Sequence, residues 1–121
     1  MSLALLLGIG LLGGAGAIAR FLLDGAISGR FGRSFPWGTL VVNITGAFLL
    51  GALVAANVGA DALRLGATGA LGGFTTFSTW MLESHRLGED SELRLGITNF
   101  LVSLLLGVSA VWLGRELGAA L

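Results

Sequence analysis

GATGALGGFTTFSTW, residues 66–80, is the stretch that decides the fold of this chain. It lies in a region long enough to cross a membrane, but it has paired glycines and then threonines where a lipid-facing helix would have leucine and valine. Glycine and β-branched threonine both weaken an α-helix. Backbone that leaves the helix at membrane depth is tolerated only where it is buried in protein or lines a watery cavity. The stretch therefore predicts a membrane helix broken at residues 72–78.

The composition of the whole chain supports a membrane protein. Its 121 residues are 55% hydrophobic and 12% charged, and the mean hydropathy is +0.90. A soluble domain has about 25% charged residues, because polar groups must cover its core. The absence of cysteine excludes disulfides, thiolate metal sites and a cysteine nucleophile. The zero net charge, with no basic stripe, argues against a nucleic-acid partner.

Four segments have the length and apolarity of membrane-spanning helices, which need roughly 20 residues. They cover residues 3–23, 37–57, 61–87 and 93–113, with the break in the third. No basic residue precedes the first segment, so we interpret it as a retained span and not as a signal peptide. The connector portion GAISGRF, residues 25–31, is compatible with a short interfacial helix. Together the segments predict a single four-helix membrane domain over residues 1–121.

The arginines indicate only a slight preference for one orientation. An even number of spans puts both termini on one side, and the arginines near that side are Arg64 and Arg115. The arginines near the opposite side are Arg30, Arg33, Arg86 and Arg94. The positive-inside rule then directs the termini away from the cytoplasm, but a difference of two arginines is small. Insertion in both orientations is therefore compatible with the sequence.

Small residues four apart predict close helix packing, because lipid supplies no hydrophobic force between helices. Gly10 with Gly14 and Gly69 with Gly73 have this spacing. At the predicted break, freed carbonyls are suited to a cation, and hydroxyls and amide hydrogens to an anion. The alternative is a tightly packed Gly/Thr-rich helix whose threonines bond back to their own turn.

Neutral polar residues also recur at helical spacing in the second and fourth spans. Thr39 and Asn43 share one face with Gly46 close by, and the second such row is Asn99, Ser103 and Gly107. The Asn43 amide has two donors that can replace water around a small anion. Neutral donors suit conduction, since an ion must bind strongly enough to enter and weakly enough to leave. The alternative is that these residues join neighbouring helices.

Phe77 and Trp80 lie three residues apart just after the predicted break. Aromatic rings have electropositive edges that can face an anion. Spacing alone favours a simpler interpretation, in which the two rings are buried for their apolar area.

Three ordered segments of the chain resemble the signature segments of the Fluc (CrcB) fluoride channels. They are GGAGAIARF (13–21), WGTLVVNITGAFLLG (37–51) and GALGGFTTFSTW (69–80). The resemblance covers essentially the whole chain. It implies a dual-topology antiparallel homodimer with two fluoride pores and a central sodium ion, in a bacterial or archaeal inner membrane. It also implies a passive fluoride exporter that prevents fluoride toxicity, and not an enzyme.

The resemblance also implies roles for individual residues. By motif position, Gly72 and Thr75 provide sodium-coordinating carbonyls, Asn43 the pore amide, and Phe77 the first aromatic in contact with fluoride. The fourth-helix hydroxyl is assigned to Ser103. The remaining pore candidates are Thr39, Thr76, Thr79 and Trp80. The first-helix arginine of the family matches Arg20, which acts either in vestibule electrostatics or as an interfacial anchor.

One position departs from the family pattern. Where the family has Ser-Thr-Phe, this chain has Ser78, Thr79 and Trp80. Tryptophan adds bulk and an N–H donor, so the indole either narrows the pore or offers fluoride a new hydrogen bond.

Two other classes of function are compatible with a chain of this size. A small proton-coupled exporter of cationic drugs needs a glutamate inside its first span, and residues 3–23 contain no acid. A purely structural membrane subunit predicts that polar substitutions at 75–79 affect assembly alone. Glu83 and His85 are interpreted as interfacial residues, because charges cluster at this span end, although Glu83 is close enough to approach a pore mouth.

Overall fold

Three long helices form most of the molecule. The computed structural model describes residues 1–121, in which α1 is Leu3–Phe31 and α2 is Trp37–Ala55. Two shorter helical segments follow, α3 over residues 60–74 and α4 over Phe77–Glu89, and the last helix, α5, is Leu93–Ala120. α1, α2 and α5 are long and apolar enough to cross a membrane. The predicted all-helical fold with an interrupted third helix is confirmed.

α1 is longer than predicted and includes the segment for which a separate interfacial helix was considered. Its first turn is capped by the Ser2 side chain, which accepts the Leu5 N–H at 3.1 Å. Near its end, Ser28 donates to the Asp24 carboxylate one turn earlier, at 3.2 Å. The helix stops only at Gly32, whose φ of +81° favours glycine. Helical hydrogen bonding therefore continues past residue 23, the predicted end of the span, as far as Phe31.

The interruption between α3 and α4 is shorter than the predicted range of 72–78. α3 is α-helical over Ala60–Leu63, π-helical over Arg64–Leu71 and α-helical again over Gly72–Phe74. The paired glycines are therefore helical, and the extended backbone is confined to Thr75 and Thr76. The segment 72–74 packs against α1, and Gly73 lies directly on its backbone. A side chain on Gly73 would collide with the Gly13 carbonyl.

Glycine determines how closely the long helices approach. α1 packs against α3, and α2 packs along α5. Gly69 and Gly73 both face the backbone of α1, as predicted from their spacing. A side chain added at Gly10 or Gly14 would meet nothing within 4 Å, so this pair does not pack against another helix of the same chain. The Gly-x-x-x-Gly pattern alone does not distinguish a packed face from an open one.

Most of the apolar surface points outward. Only 16 of the 121 residues are buried, and large side chains such as Leu11 and Phe21 are more than three-quarters exposed. Apolar groups are stable on such a surface only when lipid or another apolar surface covers it. Together with three spanning helices, this makes the chain a multi-span membrane protein.

Candidate functional site

The site is built around the two extended residues between α3 and α4. Thr75 has φ −83° and ψ 162°, and Thr76 has φ −149° and ψ 121°. The Thr75 N–H and hydroxyl both donate to the Leu71 carbonyl, at 2.9 and 3.0 Å, and complete the last turn of α3. Beyond that turn, the backbone groups need partners from outside the helix.

Asn43 of α2 supplies those partners to Thr76. Its side-chain Nδ2 donates to the Thr76 carbonyl at 2.8 Å, and its Oδ1 accepts the Thr76 N–H at 2.8 Å. The amide therefore replaces two hydrogen bonds that a continuous helix would have made. Because the NH₂ group carries two hydrogens, one donor of Asn43 remains after this pairing.

Thr76 also begins α4. Its hydroxyl oxygen accepts the Thr79 N–H at 3.2 Å, which is the bond of an N-terminal cap. The same hydroxyl donates to Thr79 Oγ1 at 3.2 Å. The predicted residues Thr76 and Thr79 are thus joined to each other as well as to the break.

An open groove of about 480 Å³ brings together most of the predicted site residues. It lies along α2, α3, α4 and α5, and no charged side chain lines it. Seven of the predicted residues line it: Asn43, Gly72, Thr75, Thr76, Phe77, Trp80 and Ser103. The Phe77 side chain stands out from the molecule at 69% exposure. The groove is therefore neutral, largely apolar and open on one side.

A second cavity, of about 200 Å³, gathers the remaining predicted residues. Arg20, Thr39 and Thr79 line it together with Asp24 of α1. Thr76 lines both the cavity and the groove, so both spaces contact the same residue of the break. Thr39 and Asn43, predicted on one face of α2, therefore belong to different but adjoining spaces.

The polar face predicted on the fourth span, made of Asn99, Ser103 and Gly107, does not lie in the groove as a whole. Ser103 and Gly107 line the groove, but Asn99 does not and is only 1% exposed. Asn99 instead donates to Ser84 of α4 at 2.7 Å. The four-residue spacing placed these residues on one side of α5, but it did not reveal that α4 covers the first of them.

Glu83 and His85, both interpreted as interfacial from the sequence, differ in their surroundings. His85 is largely exposed and pairs with Glu89 at 2.7 Å. Glu83 is half-buried, and its Oε1 is buried without a hydrogen-bond partner. The polar neighbour that sequence reasoning missed is Thr39 of α2, which lies beside this carboxylate. Only the packing of α4 against α2 reveals this proximity.

The fold and the site together define a small multi-span membrane protein with an interrupted helix whose break is held by a neighbouring side-chain amide. The chain belongs to the CrcB family. The family model described as "CrcB-like protein, Camphor Resistance (CrcB)" matches residues 7–115. This match confirms the resemblance seen in the three sequence segments.

Several relatives carry the name of fluoride channels. The chain is 48% identical over 115 residues to the Fluoride-specific ion channel FluC 2 of Mycobacterium tuberculosis, covering 95% of this chain and 91% of the relative. It is 48% identical over 117 residues to FluC 1 of Symbiobacterium thermophilum, covering 91% and 94%. It is 45% identical over 114 residues to FluC of Geobacter sulfurreducens, covering 90% and 92%. Each similarity extends over nearly the full length of both proteins.

Proposed function

We propose that this chain is a fluoride-specific ion channel that lets fluoride leave the cell down its gradient and so limits fluoride toxicity. The observation that carries the proposal is the neutral groove, which collects amide, hydroxyl and aromatic groups and no charge. Such groups replace water around a small anion without holding it too strongly for release. The relatives named as fluoride channels support the choice of ion.

The proposed path runs from the smaller cavity to the groove through Thr76. Arg20 in the cavity attracts anions, and the hydroxyls of Thr39 and Thr79 offer neutral contacts there. At the break, the remaining Nδ2 hydrogen of Asn43 is the strongest neutral donor. In the groove, Ser103 and the electropositive edge of Phe77 continue the path.

A second copy of the chain, inserted in the opposite orientation, completes the channel in this proposal. The groove is open, and Phe77 projects out of it into a region that only another molecule or lipid can cover. A lipid-filled groove would block passage of a hydrated anion, whereas a partner of the same kind would enclose it. Antiparallel pairing agrees with the small difference in arginine count between the two sides.

In this proposal the dimer also binds a structural sodium ion. In a continuous helix the Gly72 carbonyl would accept the Thr76 N–H, but that N–H donates to Asn43. The Thr75 carbonyl would accept the Thr79 N–H, but that N–H donates to the Thr76 hydroxyl. Both carbonyls are therefore free for a hard cation, and unwound helix backbone is a known type of sodium ligand. The residues fit the ion, and a second copy would double the set of oxygens.

A proton-coupled exporter of cationic drugs is less well supported. Such a carrier needs a carboxylate in its substrate path. The groove contains none, and the single acid of the smaller cavity, Asp24, shares that cavity with Arg20. We therefore propose the fluoride channel and not the proton-coupled exporter.

Fluoride efflux from liposomes tests the proposed activity. Purified protein in vesicles loaded with potassium fluoride should release fluoride when valinomycin balances the charge, and matched vesicles loaded with chloride should release nothing. Efflux equal to that of protein-free vesicles would exclude the channel. Uptake of a cationic dye driven by a proton gradient would support the exporter instead.

The orientation and the sodium ion need separate measurements. The chain has no cysteine, so one cysteine added at the C-terminus reports topology without a background. Labelling of about half of the protein by an impermeant thiol reagent is expected for antiparallel dimers, and uniform labelling from one side contradicts them.

Replacing sodium by N-methylglucamine should lower the unfolding temperature of the dimer. An unchanged temperature argues against a structural sodium ion.

A further inference from the structure

Trp80, the residue that departs from the family pattern, is held in place by α5. Its indole Nε1 donates to the main-chain carbonyl of Asn99 in a long hydrogen bond of 3.4 Å. Its ring stacks on Phe100, with centroids 5.4 Å apart and planes 21° apart, and meets Phe77 edge-on at 5.6 Å. Trp80 lines the groove and Asn99 does not. The indole N–H is therefore directed to the contact between α4 and α5 and not to the groove.

The buried Asn99 side chain also holds the contact between α4 and α5. Its Nδ2 donates to Ser84 Oγ at 2.7 Å, and Ser84 Oγ donates to the Trp80 carbonyl at 2.9 Å. Its Oδ1 accepts the hydroxyl of the groove-lining Ser103 at 3.4 Å. A carboxamide at 1% exposure in a membrane protein is costly unless it is bonded in this way. The Asn99 side chain is thus bonded directly to the groove-lining Ser103 and, through Ser84, to the groove-lining Trp80.

We propose that Asn99 is a positioning residue for the aromatic side of the fluoride path. Its buried side chain sets the position of α4 through Ser84, and its main-chain carbonyl receives the Trp80 indole N–H. The indole consequently presents carbon-bound hydrogens to the groove and acts as an enlarged phenyl ring, without offering fluoride an N–H donor. This inference rests on the proposed fluoride conduction, because it assigns one element of that path.

The orientation of the indole can be tested in the unmodified chain. With ¹⁵N-labelled tryptophan and asparagine, the Nε1–H resonance of Trp80 is identified by its loss in Trp80→Phe, and the side-chain amide resonance of Asn43 by its loss in Asn43→Asp. Addition of sodium fluoride should leave this resonance in place, while the side-chain amide resonance of Asn43 shifts. A shift of the Trp80 resonance that saturates with fluoride and not with chloride would overturn the proposal, because the N–H would then be a fluoride ligand.

The positioning role is tested by two substitutions and a matched control. Asn99→Leu and Ser84→Ala should each move the Trp80 Nε1–H resonance and lower fluoride efflux roughly fivefold, about the effect of one hydrogen bond. Thr98→Val on the same helix removes a hydroxyl that bonds only to its own turn and should change neither. If Asn99→Leu does not fold, Ser84→Ala carries the test, since it removes one oxygen and little volume.

Trp80→Phe separates positioning from general support. In this background Asn99→Leu should cause a smaller loss of efflux than in the unmodified chain, because the part of the loss that comes from a displaced indole is absent. Equal losses in the Trp80 and Trp80→Phe backgrounds would overturn the proposal and leave Asn99 with a packing role. If the unmodified chain releases no fluoride at all, the proposed function fails, and the indole resonance in Asn99→Leu still decides whether Asn99 orients Trp80.

Discussion

α2 makes two contacts that work in different ways, one with α5 and one with the break between α3 and α4. Against α5, Gly51 faces the Val111 carbonyl, and Gly114 of α5 faces the Phe48 carbonyl of α2, so the backbones touch with no side chain between them. Against the break, Asn43 makes two bonds of 2.8 Å to the backbone of Thr76. One contact depends on shape and the other on hydrogen bonds.

The difference separates the frame from the proposed conducting surface. Helices that touch through glycine can move little, because any displacement produces collisions or voids. The α2–α5 pair therefore provides a rigid frame that presents Asn43 to the break. At the break, side chains bond the Thr76 N–H and carbonyl and the Thr79 N–H, which leaves the Gly72 and Thr75 carbonyls and one Asn43 hydrogen for the proposed ion contacts. A change in the frame should mainly affect stability, and a change at the break should mainly affect flux.

Asn43→Asp should have the largest effect on flux. A carboxylate cannot donate to the Thr76 carbonyl and repels an anion, so we expect fluoride efflux to fall to that of protein-free vesicles. The unpaired carbonyl should also cost about 1–3 kcal/mol of stability, while the α2–α5 frame keeps the protein folded. Asn57→Asp makes the same chemical change in the turn after α2 and should leave efflux unchanged. Normal efflux in Asn43→Asp would remove Asn43 from the path.

Gly114→Ala should have the largest effect on stability. An added methyl group collides with the Phe48 carbonyl and lies close to the Ala52 nitrogen, both of them backbone atoms that cannot rotate away. Overpacking of this kind costs about 1–3 kcal/mol, measurable by unfolding in mixed micelles at fixed protein concentration. Gly25→Ala, within α1, meets nothing within 4 Å and is the matched control, which should be unchanged or more stable by up to about 1 kcal/mol because alanine favours the helix. Equal stability of the two variants would refute the glycine contact as the frame.

Gly46→Ala tests the other side of α2 and should cost less stability, about 1–2 kcal/mol. Its methyl group would meet the Thr75 side-chain methyl, which can rotate away. Rotation of Thr75 breaks the 3.0 Å bond from its hydroxyl to Leu71 and disturbs the break. For each kcal/mol of stability lost, we therefore expect a greater loss of fluoride efflux than in Gly114→Ala. If the loss of efflux is proportional to the loss of stability in the same way in both variants, the distinction between the frame and the break is wrong.

Thr76→Val should have the smallest effect of the four. It removes the cap of α4, which costs about 1 kcal/mol, and removes a hydroxyl shared by the groove and the smaller cavity. Efflux should decrease while the dimer remains folded. Thr98→Val, on an exposed part of α5, is expected to lie within about 0.5 kcal/mol of the unmodified chain. Identical efflux in the two variants would show that the Thr76 hydroxyl has no part in conduction.

Sequence reasoning located the interruption but not its extent. The glycines and threonines of residues 66–80 predicted weakened helix, yet Gly72 and Gly73 are helical in a segment that packs against α1 through Gly73. The π-helical turns of Arg64–Leu71 were not predicted, since no local pattern distinguishes them from α-helix. The end of α1 was missed because residues 24–31 are less apolar than a membrane span but still helical. In each case the bounds of the helix differ from those that the local sequence predicted.

Spacing was informative along one helix and uninformative between helices. It placed Asn99 and Ser103 on the same side of α5, but α4 covers Asn99 and leaves Ser103 in the groove. It could not show that the Trp80 N–H is directed to the Asn99 carbonyl, 19 residues further along the chain. Likewise, the proximity of Glu83 to Thr39 depends on contacts between residues far apart in sequence.

The sequence by itself determined the solvent, the number of apolar segments and the chemical character of the break, because these follow from composition and from the helical preferences of single residues. Tertiary structure decided where the interruption lies, which polar groups meet there and which remain free. Asn43 can take the Thr76 N–H and carbonyl only because α2 is held beside the break by its contact with α5. That dependence on distant contacts is the physical reason why residues 66–80 predict a broken helix but not the bonds that hold it open.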